Sequence, residues 1–259
     1  MQQIAATLLI PFAGTVAGAA FVFFIRRQVP GLLQKGLLGF ASGVMVAASV
    51  WSLLIPSLDM SAGGTAWEEL SPAVIGFAAG MAFLLLIDYA TPHLHLGGKA
   101  EGPRTKMSRT AMLVLAVTIH NIPEGMAVGA VVAGALGGGG ELAGAGVMAM
   151  ALGIAIQNVP EGAVVSMPML AEGNSRLRSF AIGAMSGIVE PLSALAVIAA
   201  AAWFTPLLPY LLAFAAGAML YVVVEELIPE ASEGSHSNIG TVGFGAGFAL
   251  MMTLDVVFA

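Results

Sequence analysis

Charge is the scarcest property of this 259-residue chain. Only 9% of its residues are Asp, Glu, Lys or Arg, 58% are hydrophobic, and the mean hydropathy is +0.94. A soluble domain carries about 25% charged residues. Nine bases and fifteen acids are too few to cover a soluble surface of this size. Disordered chains are polar and highly charged, so the same arithmetic excludes disorder. The nine bases leave no basic footprint, and nucleic acid is not an expected partner. Cysteine is absent altogether, which removes disulfides, thiolate metal sites and cysteine nucleophiles. Long polar stretches are lacking too. The longest, Gly97 to Arg109, is too short to fold alone, so residues 1–259 read as a single integral-membrane domain.

Apolar runs fill the space that charge leaves. A spanning helix needs about 20 mainly apolar residues. Eight such runs lie at roughly 4–24, 37–56, 72–91, 110–133, 143–169, 179–202, 206–228 and 240–258. They are continuously apolar and do not alternate, which disfavours a barrel. The expected fold class is an all-α polytopic membrane protein of eight transmembrane helices. No base precedes the first run and Arg26 and Arg27 follow it, the reverse of a secretory signal, so it reads as a retained span. The many glycines and alanines suit close helix contacts in lipid.

The bases orient these spans. Arg26, Arg27 and Lys35 follow span 1; Lys99, Arg104, Lys106 and Arg109 follow span 3; Arg176 and Arg178 follow span 5. All nine therefore fall in odd-to-even loops. The opposite loops carry Asp59, Glu68, Glu69 and Glu141 and no base. The positive-inside rule makes the odd-to-even loops cytoplasmic and both termini extracytoplasmic. Trp51, Trp67 and Trp203 read as interfacial anchors.

The acids then stand out. Glu124, Glu161 and Glu190 sit near mid-span, with Asp88, Glu225, Glu226 and Asp255 nearer span ends, and no span holds a Lys or Arg. One acid at mid-bilayer costs about 3 kcal/mol on insertion scales, and three cost about 7–10 kcal/mol before compensation. The missing counter-charge points to a cationic ligand. Span 4 contains His120-Asn121-Ile122-Pro123-Glu124-Gly125, and span 5 contains Gln157-Asn158-Val159-Pro160-Glu161-Gly162. The shared pattern Asn-x-Pro-Glu-Gly recurs 37 residues on. The i,i+4 spacing sets His120 over Glu124 and Gln157 over Glu161, each pair on one helix face. Asn121 and Asn158 lie on an adjoining strip, able to ligate or only to cap the helix. Pro123 and Pro160 cannot donate to the preceding turn, so both helices are expected to kink and expose carbonyl oxygens. Glu190-Pro191 in span 6 looks like a third contribution. Imidazole, carboxylate and amide together suit a divalent transition metal held between kinked helices 4 and 5. Gln157 is equally suited to a plain bond across helices.

At these residues the chain resembles the ZIP family of divalent-metal transporters, and within it the bacterial GufA-like branch. The resemblance covers nearly the whole chain. It includes Gly39 to Met45, Ser52 and Pro56 to Asp59 in span 2, Asp88 to His95 after span 3, Glu190-Pro191, Glu225-Glu226 and Asp255. It implies a metal site of His120, Asn121, Glu124, Gln157, Asn158, Glu161 and Glu190, with a thioether from Met45. It implies an outer entrance flanked by Asp59 and Asp255, with Ser52 on the pathway. Asp88, His93, His95, Glu225 and Glu226 would form an exit toward the cytoplasm. Family members carry metal inward, and the implied motion is an elevator-like shift of spans 1, 4, 5 and 6 against a scaffold. Some bacterial relatives carry Asp where this chain has Asn158, and there two metals share the site. One strong site is therefore expected here. The short loop after span 3 also lacks the histidine-rich tract common in the family.

The resemblance makes zinc the first expected cargo, with cadmium, iron(II) and manganese(II) accommodated by the same donors. The metal is cargo, and no prosthetic group is expected. Small-residue faces and the resemblance permit a homodimer. The Ala- and Gly-rich usage and short length point to a bacterial inner membrane. An enzyme is not expected. An intramembrane zinc protease would need His-Glu-x-x-His, and here the order is His-x-x-x-Glu around a proline. A proton-coupled carrier of an organic cation would need an aromatic cage, which the motifs lack.

Overall fold

In the computed structural model, described over residues 2–24, 30–94, 100–103, 105–138, 141–235 and 237–258, the chain is a bundle of apolar helices. Helix α1 (Gln2–Ala19) runs into a tight turn at Ala20–Phe23. Helix α2 (Gly31–Ala48) passes through a widened π-turn at Ser49–Leu54 into the short α3 (Ile55–Asp59). Helix α4 is Ala66–Ala90, and a two-residue antiparallel pairing of His93–Leu94 with Ala100–Glu101 follows it. Then come α5 (Arg109–Gly138), α6 (Glu141–Ala171), α7 (Arg176–Ser186), α8 (Val189–Trp203) and α9 (Leu208–Val222). A second π-turn at Val223–Leu227 leads into α10 (Ile228–Ser232), and α11 (Ile239–Phe258) is last. Seven helical segments, from Gly31–Asp59 to Ile239–Val257, are long and apolar enough to cross a membrane. A shorter apolar helix, Thr7–Phe23, precedes them.

Proline explains most interruptions. Pro56 and Pro229 each follow a π-turn by two residues, within matching Leu-Ile-Pro triplets. A proline ring clashes with the carbonyl four residues back, and a widened turn relieves that clash. Span 6, expected as one uninterrupted helix, is broken between α7 and α8 at Gly187-Ile188. Pro191 is the reason: its ring would meet the carbonyl of Gly187, so the helix ends and restarts. By contrast, α5 and α6 remain helical through Pro123 and Pro160.

Helices pair along glycine seams. The most extensive contacts join α2 to α11, α1 to α6, α4 to α9 and α5 to α8. Each pair approaches so closely that a methyl group would strike backbone: at Gly43 the carbonyl of Phe244, at Gly14 that of Ala155, at Gly80 that of Phe214, at Gly125 that of Glu190. In lipid, where apolar contact alone does not drive association, such close packing is what holds helices together. Less extensive contacts join these pairs to one another, α5 to α9 and α6, and α6 to α2 and α11.

Contacts join loops at each end of the bundle. Lys35 Nζ donates to the carbonyl of Ser235 at 3.0 Å. Arg176 donates to the carbonyls of Val22 and Phe23 at 2.8 and 2.7 Å, satisfying the exposed end of the first helix. Ser108 and Thr110 share a cavity with Asn174 and Arg178. These contacts bring the four odd-to-even connections to one end of the bundle. At the other end Ser57 donates to the carbonyl of Pro209 at 2.7 Å. Trp67 and Trp203 are exposed. Trp51 is partly buried and packs edge-on against Phe248 at 5.5 Å.

The seams yield a stability test. Gly14→Val should cost about 3 kcal/mol or more, as overpacking against rigid backbone does. Gly31→Ala, with open space around it, should change stability by under about 1 kcal/mol. Denaturant unfolding of both variants in detergent measures the contrast.

Candidate metal site

The three mid-span carboxyls come together where α5, α6 and α8 meet, with α1 behind them. Glu124 is 1% exposed and Glu190 1%. Glu124, Glu161 and Glu190 are near enough to sense one another's charge. The sequence holds no Lys or Arg at 36–98, 110–175 or 179–259, so none of α6 or α8–α11 brings a compensating base.

Two of the three carboxyls, Glu124 and Glu190, have support from neutral donors. Gln157 Nε2 donates to Glu124 Oε1 at 2.7 Å, across from α6 to α5. Thr15 Oγ1 donates to Glu190 Oε1 at 2.7 Å from α1. Glu190 also lies in the first turn of α8, where the helix dipole favours a negative group. Each asparagine gives an amide N–H to a backbone carbonyl, Asn121 to that of Ser186 at 3.2 Å and Asn158 to that of Pro11 at 3.4 Å. What remains is oxygen. Glu124 Oε2, Glu161 Oε2, Glu190 Oε2, Asn121 Oδ1, Gln157 Oε1 and Asn158 Oδ1 are buried and accept no hydrogen bond. Buried acceptors without donors are costly. A set made only of acceptors, two or three of them charged, is the environment a cation satisfies.

The glycine of each motif has a packing role that the sequence did not reveal. A methyl group on Gly125 would collide with the backbone of Glu190, and one on Gly162 with the carbonyl of Thr15. Gly125 thus admits α8 with its Glu190, and Gly162 admits α1 with its Thr15. Neither Thr15 nor this use of the motif glycines was among the sequence expectations. The pairing of small residues with opposing backbone was the available signal.

His120, one turn before Glu124 on α5, has its Nε2 2.9 Å from Glu226 Oε1, on the π-turn after α9. Among the described residues, no three His, Asp or Glu side chains converge tightly enough to hold one ion as they stand. The adjacent Glu225 and Glu226 also separate. Glu226 is buried while Glu225 is exposed, since successive helical residues point about 100° apart. Met45 is fully buried in the main apolar core.

Of the outer residues, Asp255 accepts from Ser52 Oγ at 2.6 Å, and its Oδ2 is buried and unpartnered. Asp59 ends α3 at the same end of the bundle and is exposed. On the exit side, Asp88 accepts from Tyr221 at 2.9 Å. His93 is described by its backbone alone, paired with Glu101, and His95 lies outside the described residues.

Comparison with known proteins decides the family. The ZIP Zinc transporter family model matches residues 98–255. The chain belongs to the ZIP zinc transporter family. Zinc transporter ZIPB of Bordetella bronchiseptica is 39% identical over 94% of this chain and 77% of that protein. Zinc transporter GufA of Myxococcus xanthus is 35% identical over 94% and 95% of the two chains. Human zinc transporter ZIP11 is 35% identical over 93% of each. The bacterial branch expected from the motifs is thus represented among this ZIP protein's relatives.

The seam at Gly125 is testable in this ZIP protein. Gly125→Ala should displace α8 and with it Glu190, lowering stability by about 1–3 kcal/mol. Zinc-dependent thermal stabilisation, read as the shift in unfolding temperature on adding Zn2+, should shrink in the variant.

Proposed function

We propose that this ZIP protein carries zinc across the membrane into the cytoplasm, binding one ion at mid-membrane between the paired Asn-x-Pro-Glu-Gly motifs. The single observation that carries the reading is the group of buried oxygens on Glu124, Glu161, Glu190, Asn121, Gln157 and Asn158 that accept no hydrogen bond. A divalent ion supplies the charge that no base supplies, and carboxylate and amide oxygens with one imidazole suit zinc. Gln157 presents its N–H to Glu124; an amide flip turns Oε1 to the ion and releases Glu124 as a second donor. His120, Glu124, Gln157, Glu161 and Glu190 are the ligands in this proposal, with Asn121 and Met45 contributory. Asn158 brings no charge, so a second ion is not held tightly. The prolines 123 and 160 leave the carbonyls of Ile119 and Ile156 without a helical donor, at the level of the site.

The pathway runs from Asp59, Ser52 and Asp255 at the outer end to Asp88, His93, His95, Glu225 and Glu226 at the inner. The proposal has eight spans with both termini outside, Thr7–Phe23 being added to the seven longer helices; the clustering of bases in one set of loops supports it. The motion in this proposal, taken from the family resemblance, is an elevator-like shift of α1 and α5–α8 against α2–α4 and α9–α11. The protein acts as a transporter, not an enzyme, in a bacterial inner membrane. The homodimer permitted by its small-residue faces is compatible with this motion.

Zinc uptake into proteoliposomes tests the proposal. The intact chain should admit Zn2+, and cadmium should compete. His120→Ala and Glu161→Ala should each lower uptake by about tenfold or more, the scale of a lost charged ligand. Equilibrium dialysis should find one tightly held ion per chain. Absence of uptake by the intact chain would overturn the reading, and two tight ions would overturn the single-site assignment.

A further inference from the structure

Thr91, Thr118 and Thr253 each donate a hydroxyl to the carbonyl four residues back, at 2.6, 2.7 and 2.7 Å, the local bond that helical threonines favour. Thr15 departs from that habit. It is fully buried on α1, and its Oγ1 donates across to Glu190 Oε1 on α8 at 2.7 Å. The carbonyl of Pro11, four residues before Thr15, takes an amide N–H from Asn158 at 3.4 Å. Close backbone contacts fix where Thr15 stands. A methyl group on Gly14 would strike the carbonyl of Ala155, one on Gly18 that of Val159, and one on Gly162 that of Thr15 itself, so α1 is seated tightly on α6. Gly187, at the break before α8, leaves the space for the bond: a methyl group there would collide with the Thr15 side chain and with Glu190 Oε1. The second oxygen of Glu190, Oε2, is buried and accepts no hydrogen bond.

We propose that Thr15 is a positioning residue for the cargo: it holds Glu190 by Oε1 and so presents Oε2 to the ion. This rests on the metal-site reading above, in which Glu190 is a ligand. A glutamate side chain that is free to turn must be ordered when the ion arrives, and that cost weakens binding. The hydroxyl orders the carboxylate beforehand. An O–H bond to a carboxylate is short and strong in an interior of low dielectric. Threonine suits the task because its branched Cβ restricts χ1, and its methyl group lies where Gly187 has no side chain. Carboxylates that ligate metals are commonly held by outer partners of this kind, whose loss costs roughly 10–100-fold in affinity. The bond also spans elements. Thr15 is seated on α6, which carries Gln157 and Glu161, while Glu190 stands on α8 beyond the break at Gly187-Ile188. Glu190 is thereby fixed relative to the donors of α6 as well as to those of α5, the helix on which α8 packs.

Thr15→Val keeps the shape and removes the donor. In the full chain it should bind Zn2+ about tenfold more weakly, read by competition with a fluorescent zinc chelator in detergent. Thr15→Ser, which restores the hydroxyl, should stay within about twofold of the wild type. In proteoliposomes Thr15→Val should raise KM and leave the maximal rate unchanged, whereas a merely structural loss would lower the maximal rate at an unchanged KM. Thr15→Ala decides the matter if Thr15→Val does not fold. The double variant Thr15→Val/Glu190→Ala should bind no more weakly than Glu190→Ala, because Thr15 acts through that carboxylate. Wild-type affinity in the variants without the hydroxyl would overturn the proposal. An equal weakening in Thr15→Ser would overturn it too, by marking packing as the cause. If Glu190→Ala itself leaves zinc affinity at the wild-type value, the assignment of Glu190 as a ligand is what fails. If Glu190→Ala weakens binding and Thr15→Val does not, the positioning role alone fails.

Discussion

Three buried carboxyls that share one site without a base are the constraint on which the rest of this molecule turns. Their desolvation is costly, and repulsion among them adds to it. The chain offsets part of that cost with neutral donors: Gln157 for Glu124, Thr15 for Glu190, and the dipole of α8 at Glu190. It leaves the rest unmet. A protein selected only for stability would replace such a cluster with packed apolar side chains. Retaining it makes sense where a cation arrives and departs.

Bringing the carboxyls together requires backbones to come closer than ordinary side chains allow. This is where the glycines act. Gly125 lets α8 lie against α5, and Gly162 lets α1 lie against α6, so the motif sets both its ligands and its neighbours. The same device closes α2 on α11 and α4 on α9. The contact between His120 and Glu226 ties α5 to the turn that follows α9.

Much of this was legible in the sequence, and the remainder was not for definite reasons. Hydropathy located the long spans, because lipid demands continuous apolar length. The bases fell in one set of loops, and the contacts of Lys35 and Arg176 place those loops at one end of the bundle. The repeated motif led to Glu124, Glu161, Gln157 and both asparagines as a buried group. Periodicity did not reveal the breaks. Pro56, Pro191 and Pro229 sit in unbroken apolar runs, and hydropathy is blind to the turns they force. The partner of His120 was also hidden. Tertiary packing brought Glu226 to it from more than 100 residues away. Thr15 was invisible for the same reason: a threonine in an apolar helix carries no mark of the carboxyl it meets.

The central claim is that the cation belongs among these carboxyls. A crystal structure of the protein with zinc, with the metal located by its anomalous scattering, tests it most directly. The account predicts one strong peak between α5, α6 and α8, with oxygens of Glu124, Glu161 and Glu190 at about 2.0–2.2 Å. Zinc found only at loop residues, with these three carboxyls unligated, would contradict it.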